Sequence, residues 1–277
     1  MRGRTEHKVK TGICALTQTH GKFAKAHIIP KALTRPSIKG APLMESTKGA
    51  GFRRQWSSWF DDQLVTDNGE KILAKIDDDG IKELRRLKLN WSSWGVAKPI
   101  FQKIPVSANH HSFRKIAVSD AEKLRKFILS ILWRAAASNI EAMSFVKASA
   151  EQLELLRKIV LGIQPIEMHH FPTSVIQLTT VGEAHNHSPY NDVKRQPAML
   201  GVSEIEYAIV RLYFDGVIFH IHWNDDDLEL SDHMGFLGAS DHLLVTGVSY
   251  EASFQYENLL INAYESTFGQ IKLPEPD

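Results

Sequence analysis

Cysteine is almost absent from the sequence. The chain holds a single cysteine, Cys14, among 277 residues. One thiol can form neither an internal disulfide nor a cysteine-rich zinc cage, which excludes a disulfide-stabilised secreted scaffold. No apolar run approaches the roughly 20 residues that a membrane helix needs, and the basic N-terminus lacks the apolar stretch of a secretory signal. We therefore expect a cytoplasmic protein.

Acidic residues are scarce at the beginning of the chain, and basic residues are scarce at its end. Residues 1–60 hold 12 Lys and Arg against 2 Asp and Glu, whereas residues 201–277 hold 2 against 14. The net charge of +1 therefore conceals a basic beginning and an acidic end. A basic segment is the electrostatic footprint expected for a phosphate backbone. The alternative is a solvated surface whose charges pair with the acidic end of the same chain.

Local patterns indicate a mixture of strands and helices. Residues 11–35 suit a β-hairpin, and residues 34–55, which lack periodicity, suggest a long exposed loop. A helix is expected from about Asp67, with Glu70 completing a capping box and a break near 77–80. Two more capping boxes, at Ser119 with Glu122 and at Ser149 with Gln152, open a helical middle. The last third reads as β-rich: residues 209–223 form two strands joined by an Asp-Gly turn, with a closing helix at 256–268.

Three short stretches carry a resemblance to a known family. They are CALT at 14–17, AHIIPK at 26–31 and LVTDNGE at 64–70. Together they resemble the HNH endonucleases, or ββα-metal fold, in the branch that reads Cys-x-x-Cys, then SHIIPK, a variable loop and LLCxxCE. The resemblance covers about residues 10–90. It implies an HNH-like ββα domain at 1–95. The local patterns and the charge indicate a helical connector at 96–165 and an acidic, β-rich α+β domain at 166–277, so we expect an α+β protein.

The chain departs from the family at its zinc cysteines. The four cysteines of the family fall on Cys14, Thr17, Thr66 and Gly69, so three of them are absent. A structural zinc needs about four N or S ligands, which one thiolate cannot supply. We therefore expect no structural zinc in the N-terminal domain.

The resemblance also implies a reaction centre. His27 takes the position of the general base that activates water, Asp61 that of the residue orienting the imidazole, and Glu70 that of a metal ligand. A carboxylate ligand suits Mg²⁺ or Mn²⁺. Ala26 stands where many HNH domains carry a metal-binding Asp. Each residue also has a structural alternative: a backbone-bonded histidine for His27, a loop carboxylate for Asp61 and a capping partner for Glu70.

The candidate nucleic-acid-binding residues are the basic side chains around these motifs: Lys22, Lys25, Lys31, Arg35, Arg53 and Arg54. We expect DNA rather than RNA as the nucleic-acid partner. The acidic region after residue 200, with Asp225, Asp226, Asp227 and Glu229, is a candidate surface for a protein partner or for the basic segment of the same chain.

Two histidine groups lie outside the resemblance. His220 and His222 alternate along a predicted strand and so share one face, which makes them an alternative metal site. Possible further ligands are His169, His170, Asp232 and His233. The literal string His185-Asn186-His187 is not the HNH motif, and its surroundings indicate a polar loop.

Three functions follow from these patterns. The first is an HNH-type endonuclease that cleaves nucleic acid with a divalent metal, an activity that the family uses in antiphage defence and in mobile elements. The second is a catalytically degenerate, HNH-derived module that still holds nucleic acid. The third is a protein-interaction module that acts through its acidic end.

Overall fold

The computed structural model describes residues 10–34, 36, 38, 40–47, 51–103, 111–196, 205–223 and 234–269. Within them the strands are β1 (Thr11–Ile13), β2 (His20–Lys22), β3 (Ala26–His27), β4 (Leu43–Thr47), β5 (Gly51–Gln55), β6 (Phe60–Asp61), β7 (Gln102–Lys103), β8 (Ser112–Ala117), β9 (Thr173–Leu178), β10 (Asn186–His187), β11 (Tyr190–Gln196), β12 (Ile205–Phe214), β13 (Val217–His222) and β14 (His242–Val248). The α-helices are α1 (Asp67–Arg86), α2 (Ala121–Ala137), α3 (Ala150–Leu161) and α4 (Phe254–Phe268). Helices and sheets both contribute substantially, so the predicted α+β class is confirmed.

A seven-stranded sheet organises the second half of the chain. Its order is β11-β12-β13-β9-β14-β8-β7, and all neighbours are antiparallel except β9 and β14. The predicted hairpin is present: β12 and β13 are joined by Asp215 and Gly216, which both have positive φ (47° and 79°). Two consecutive positive φ angles are those of the type I′ turn, which suits the right-handed twist of the strands.

Helix α2 lies at the centre of the hydrophobic core. It packs against both α1 and α3 and is buried over nearly its whole circumference, as expected of a helix with apolar residues on all sides. Its Phe127 ring meets Phe214 of β12 at a centroid distance of 6.4 Å. The same ring lies against Gly80 of α1, where an added Cβ would come within 2.1 Å of it. Gly80 therefore permits the close approach of α1 and α2.

The N-terminal part contains small sheets followed by a helix. Of the hairpin expected over residues 11–35, β1 and β2 form an antiparallel hairpin over Thr11–Lys22, whereas β3 pairs with β6 in antiparallel register. β6 is followed directly by α1, so the chain runs strand, strand, helix around the stretches that carry the HNH resemblance. This order positions the candidate site residues described below.

The expected loop at 34–55 is wrong, because β4 and β5 form a hairpin there. β4 also pairs in parallel with β10, which lies about 140 residues further along the chain, in a three-stranded sheet of order β10-β4-β5. Asn186 and His187 of β10 are buried, so the expected polar loop around them is also wrong. The local sequence of either segment shows no periodicity that would reveal this distant pairing.

Helix α1 differs from its prediction in two respects. Its N-cap is Thr66, with no side-chain capping bond, so the expected capping box of Asp67 and Glu70 is not formed. The helix also continues through 77–80 without a break. Two tertiary contacts account for its continuity: Asp77 is bound by an arginine of α2, and Gly80 packs against Phe127.

Of the other two capping predictions, one is confirmed and one is wrong. Ser149 and Gln152 form the predicted capping box of α3, and the helix ends at Gly162 in the left-handed region. The N-cap of α2 is Asp120, whose carboxylate accepts from the backbone N–H of Lys123, and not the expected Ser119. The expected closing helix is present as α4.

The hydrophobic core is continuous through all three predicted segments, since it includes Leu73, Phe127 and Phe219. The segment 96–165 is helical over α2 and α3 and also supplies β7 and β8 to the large sheet. Among the described helices, none has both the length and the apolar character that crossing a bilayer requires.

Candidate nucleic-acid interface

The four positions that match the family's zinc cysteines come together in space. The Cys14 sulfur is fully buried and accepts from the backbone N–H of Thr17 at 3.4 Å. A Cβ at Gly69 would lie 2.8 Å from that sulfur. Burial raises the pKa of the Cys14 thiol, but hydrogen bonds from Thr17 and Thr66 outweigh it and leave that pKa lowered. The hairpin β1–β2 and the start of α1 are thus joined around one sulfur and two threonines.

His27 ends β3 and is half-buried. Its Nε2 lies 3.3 Å from the Ser57 hydroxyl, and its ring lies beside Phe60 at a centroid distance of 6.2 Å. Burial lowers the pKa of His27 to about 4, and the positive charges of Lys31 and Lys25 act in the same direction. The imidazole is therefore neutral at physiological pH.

The structure does not bring Asp61 to His27. In the β3–β6 pair, Ala26 is opposite Asp61 and His27 is opposite Phe60. Directly opposed residues share a face of an antiparallel pair and successive residues alternate, so His27 and Asp61 lie on opposite faces. Both carboxylate oxygens of Asp61 are also occupied: one accepts from Ser138 at 2.7 Å and the other from the backbone of Gln63 at 2.8 Å.

Arg134 of α2, which the sequence reasoning missed, connects β3 to α1. Its guanidinium donates to both carboxylate oxygens of Asp77 and, at 2.9 Å, to the backbone carbonyl of His27. Only 2% of the Arg134 side chain is exposed. The signal was a lone arginine in the apolar run ILWRAAA at 131–137, because a buried charge in such a run requires a partner.

Glu70 lies within electrostatic range of the same pair. Burial raises its pKa, whereas the Arg134 guanidinium lowers it and the Asp77 carboxylate raises it. The Arg134 guanidinium and the Asp77 carboxylate thus act electrostatically on both Glu70 and His27.

These residues fit a divalent cation poorly. Asp77 is held by Arg134 and Asp61 by Ser138 and Gln63, which leaves one imidazole and the Glu70 carboxylate as donors among the described residues. Mg²⁺ and Mn²⁺ favour several oxygen ligands in octahedral arrangement, and a buried guanidinium nearby repels a cation. We derive no chemical step through a metal at this site.

The predicted basic residues lie mostly on the surface. Lys22, Lys25 and Lys31 are exposed, and so are Arg53 and Arg54 of β5. Arg35 lies outside the described residues. Neither Arg53 nor Arg54 forms an ion pair with any described acidic group.

Aromatic side chains are interleaved with these cations. The Lys25 ammonium lies 3.6 Å from the centre of the Phe60 ring, next to His27. Trp56 comes directly after β5, two residues beyond Arg54, and 79% of it is exposed. Cations alternating with exposed aromatic rings are typical of surfaces on which nucleic-acid bases stack while the backbone is neutralised.

The acidic C-terminal region does touch the basic segment. Helix α4 packs against β5, the strand that carries Arg53 and Arg54. The contact forms without an ion pair to either arginine among the described residues. The acidic residues at 225–229 that we expected to make such a contact lie outside the described part of the chain.

His220 and His222 share one face of β13, as predicted, but that face is buried. None of their ring nitrogens has a hydrogen-bond partner among the described residues. Burial lowers the pKa of both, and Lys194 and Arg211 add positive charge beside His220. Two cationic side chains disfavour a metal ion there.

Other histidines group differently from the sequence expectation. The ligand atoms of Glu167, His169 and His170 lie within 4.8 Å of one another, and this group does not include His220 or His222. Asp232 and His233 lie outside the described residues. The His170 Nδ1 already accepts from the Glu167 backbone at 3.2 Å. His185 is buried and stacks on Tyr213 at 5.2 Å.

No known family model matches the chain, and no curated protein or solved structure does so either.

Proposed function

We propose that this protein binds nucleic acid through its basic N-terminal segment, on an HNH-like ββα scaffold whose reaction centre has become structural. The observation that carries the proposal is the exposed edge where Lys25 covers Phe60 beside His27, with Arg53, Arg54 and Trp56 close in sequence to that ring. Phosphate neutralisation and base stacking are the two contacts that binding of a single strand requires.

The scaffold supports the HNH relation. The order β3, β6, α1 matches the strand-strand-helix order of the ββα fold, and the four former cysteine positions meet around the Cys14 sulfur. The region between β3 and α1 supports loss of cutting, because the Arg134 guanidinium neutralises Asp77 and holds the backbone of His27.

Fluorescence anisotropy with labelled oligonucleotides over a range of salt concentrations tests the proposal. If about six phosphates of a single strand are contacted, the log–log salt slope is roughly −4. Neutralising Arg53 and Arg54 to Gln should reduce the slope by about 2 and weaken binding to any sequence. Arg195→Gln is the control, because Arg195 is an exposed arginine of β11 that pairs with Glu206. A flat salt titration would contradict the proposal.

Cleavage is a second candidate, and one observation favours it: the His27 imidazole is neutral, the form that accepts a proton as a general base. Incubating labelled DNA with the protein in Mg²⁺ or Mn²⁺ tests this possibility. His27→Ala should then abolish any product while binding persists. Product formed at the same rate by this variant would assign the activity elsewhere, and the absence of product from the wild type would favour binding alone.

A further inference from the structure

A groove opens beside the proposed interface, between β5 and the start of the 3-10 helix Glu141–Met143. Its cavity is about 240 Å³, and its lining includes Glu45, Arg53, Gln55, Ser58, Phe60 and Glu141. Ser57 and Phe60, the two side chains that contact the His27 ring, both line it. The groove is therefore continuous with the cationic and aromatic edge.

Two buried polar atoms in this groove, one on Glu45 and one on Ser58, have no hydrogen-bond partner in the described part of the chain. Glu45 is 5% exposed and Ser58 is 1% exposed. The Glu45 Oε1 and the Ser58 hydroxyl form no hydrogen bond with any described residue. Arg53 stands directly opposite Glu45 across the β4–β5 pair, yet the two form no ion pair. Leaving a buried carboxyl unpartnered is costly, so both groups are expected to meet a ligand.

The environment of Glu45 agrees with this expectation. Burial raises the pKa of Glu45 to about 7, and no neighbouring charge or hydrogen bond offsets the effect. A donor entering the groove would stabilise the ionised carboxylate, which the protein itself leaves without support.

We infer that the groove receives an unstacked base of single-stranded nucleic acid and favours cytosine, through Glu45 and Ser58; the inference rests on the proposed function. A carboxylate accepts from the exocyclic amino group of cytosine. The Ser58 hydroxyl can donate to the adjacent ring nitrogen, since a hydroxyl both donates and accepts. Thymine presents the opposite pattern, with a carbonyl facing the carboxylate and an N–H beside it. The Phe60 ring lines the groove, and the exposed Trp56 lies next to its lining residues Gln55 and Ser57 in the sequence, so both rings are candidates to stack on neighbouring bases.

The test compares binding of labelled oligo(dC) and oligo(dT) of equal length to the full chain, by anisotropy at a fixed salt concentration. We expect oligo(dC) to bind about tenfold more tightly, the discrimination typical of one good base contact. Glu45→Leu should remove this preference while leaving the salt slope unchanged. Ser58→Ala should reduce the preference in part. Glu141→Gln removes an exposed charge from the same groove and should leave the preference intact.

The outcomes separate the inference from the proposed function. Steep salt dependence with equal affinity for the two oligonucleotides would overturn the inference and leave the proposed function standing. Loss of the oligo(dC) preference in Glu141→Gln but not in Glu45→Leu would likewise overturn the inference and leave the proposed function standing. No binding to either oligonucleotide would overturn both. Far-ultraviolet circular dichroism of each variant checks its folding, and Ser58→Ala provides a second readout if Glu45→Leu does not fold.

Discussion

Replacing Glu45 by glutamine should stabilise the protein, and the gain should depend on pH. The carboxyl is buried without a partner for Oε1, and its pKa is about 7 in the folded chain, against a reference value of 4.5. Between these two values the folded state retains a proton that the unfolded state has released. The free energy of unfolding therefore falls as the pH rises from about 4.5 to about 7 and stays reduced above it.

The magnitude follows from the size of the shift. A difference of about 2.5 pKa units at about 1.4 kcal/mol per unit corresponds to about 3 kcal/mol above pH 7. Near pH 5 most of this penalty is absent, and about 1 kcal/mol remains. Glu45→Gln keeps the shape of the side chain and removes its ionisation. It should therefore raise the free energy of unfolding by about 2 kcal/mol more at pH 8 than at pH 5.

Urea denaturation of the wild type and of Glu45→Gln at both pH values measures this difference directly. Unchanged m values would show that the comparison reflects stability alone. The control is Glu141→Gln, an exposed carboxyl in the same groove, which should shift stability by less than about 0.5 kcal/mol at either pH. A pH-independent effect, or a glutamine variant less stable than wild type at pH 8, would show that the carboxyl is solvated or paired and would refute the reasoning.

Two further predictions concern the scaffold. Arg134→Met should lower the free energy of unfolding by about 3–5 kcal/mol, because it leaves the Asp77 carboxylate without its partner in a largely buried place. The double variant of Arg134→Met with Asp77→Leu should recover part of this loss. Equal stability of the single and the double variant would contradict a shared interaction. Elemental analysis of the purified protein should find no stoichiometric zinc in the N-terminal part, whereas one zinc per chain that persists after His220→Ala and His222→Ala would disprove this.

Rules that act within a few residues determined much of the local structure. The turn at Asp215 and Gly216 follows from residues that tolerate positive φ, and the capping box of Ser149 and Gln152 follows from the unpaired N–H groups at a helix start. The place of His27 at a strand end and the opposed charges of the two ends also follow from the sequence. Each of these features depends on neighbours along the chain, so the sequence contains all the information needed.

Tertiary pairing decided the site. The register of β3 against β6 places Asp61 on the face opposite His27, although spacing alone allowed the two to meet. Arg134 reaches the region from a helix more than 100 residues after His27. Glu45 is buried in a strand whose parallel partner, β10, lies about 140 residues further along the chain. Such contacts depend on which distant segments meet, and hydrophobic burial selects that arrangement for the whole chain at once. Local sequence therefore determined some of the secondary elements, among them the β12–β13 hairpin and α3, together with the charge of each end. Tertiary structure decided that β4 pairs with β5 and β10, which polar groups are neutralised, and which, like the Glu45 Oε1, have no hydrogen-bond partner among the described residues.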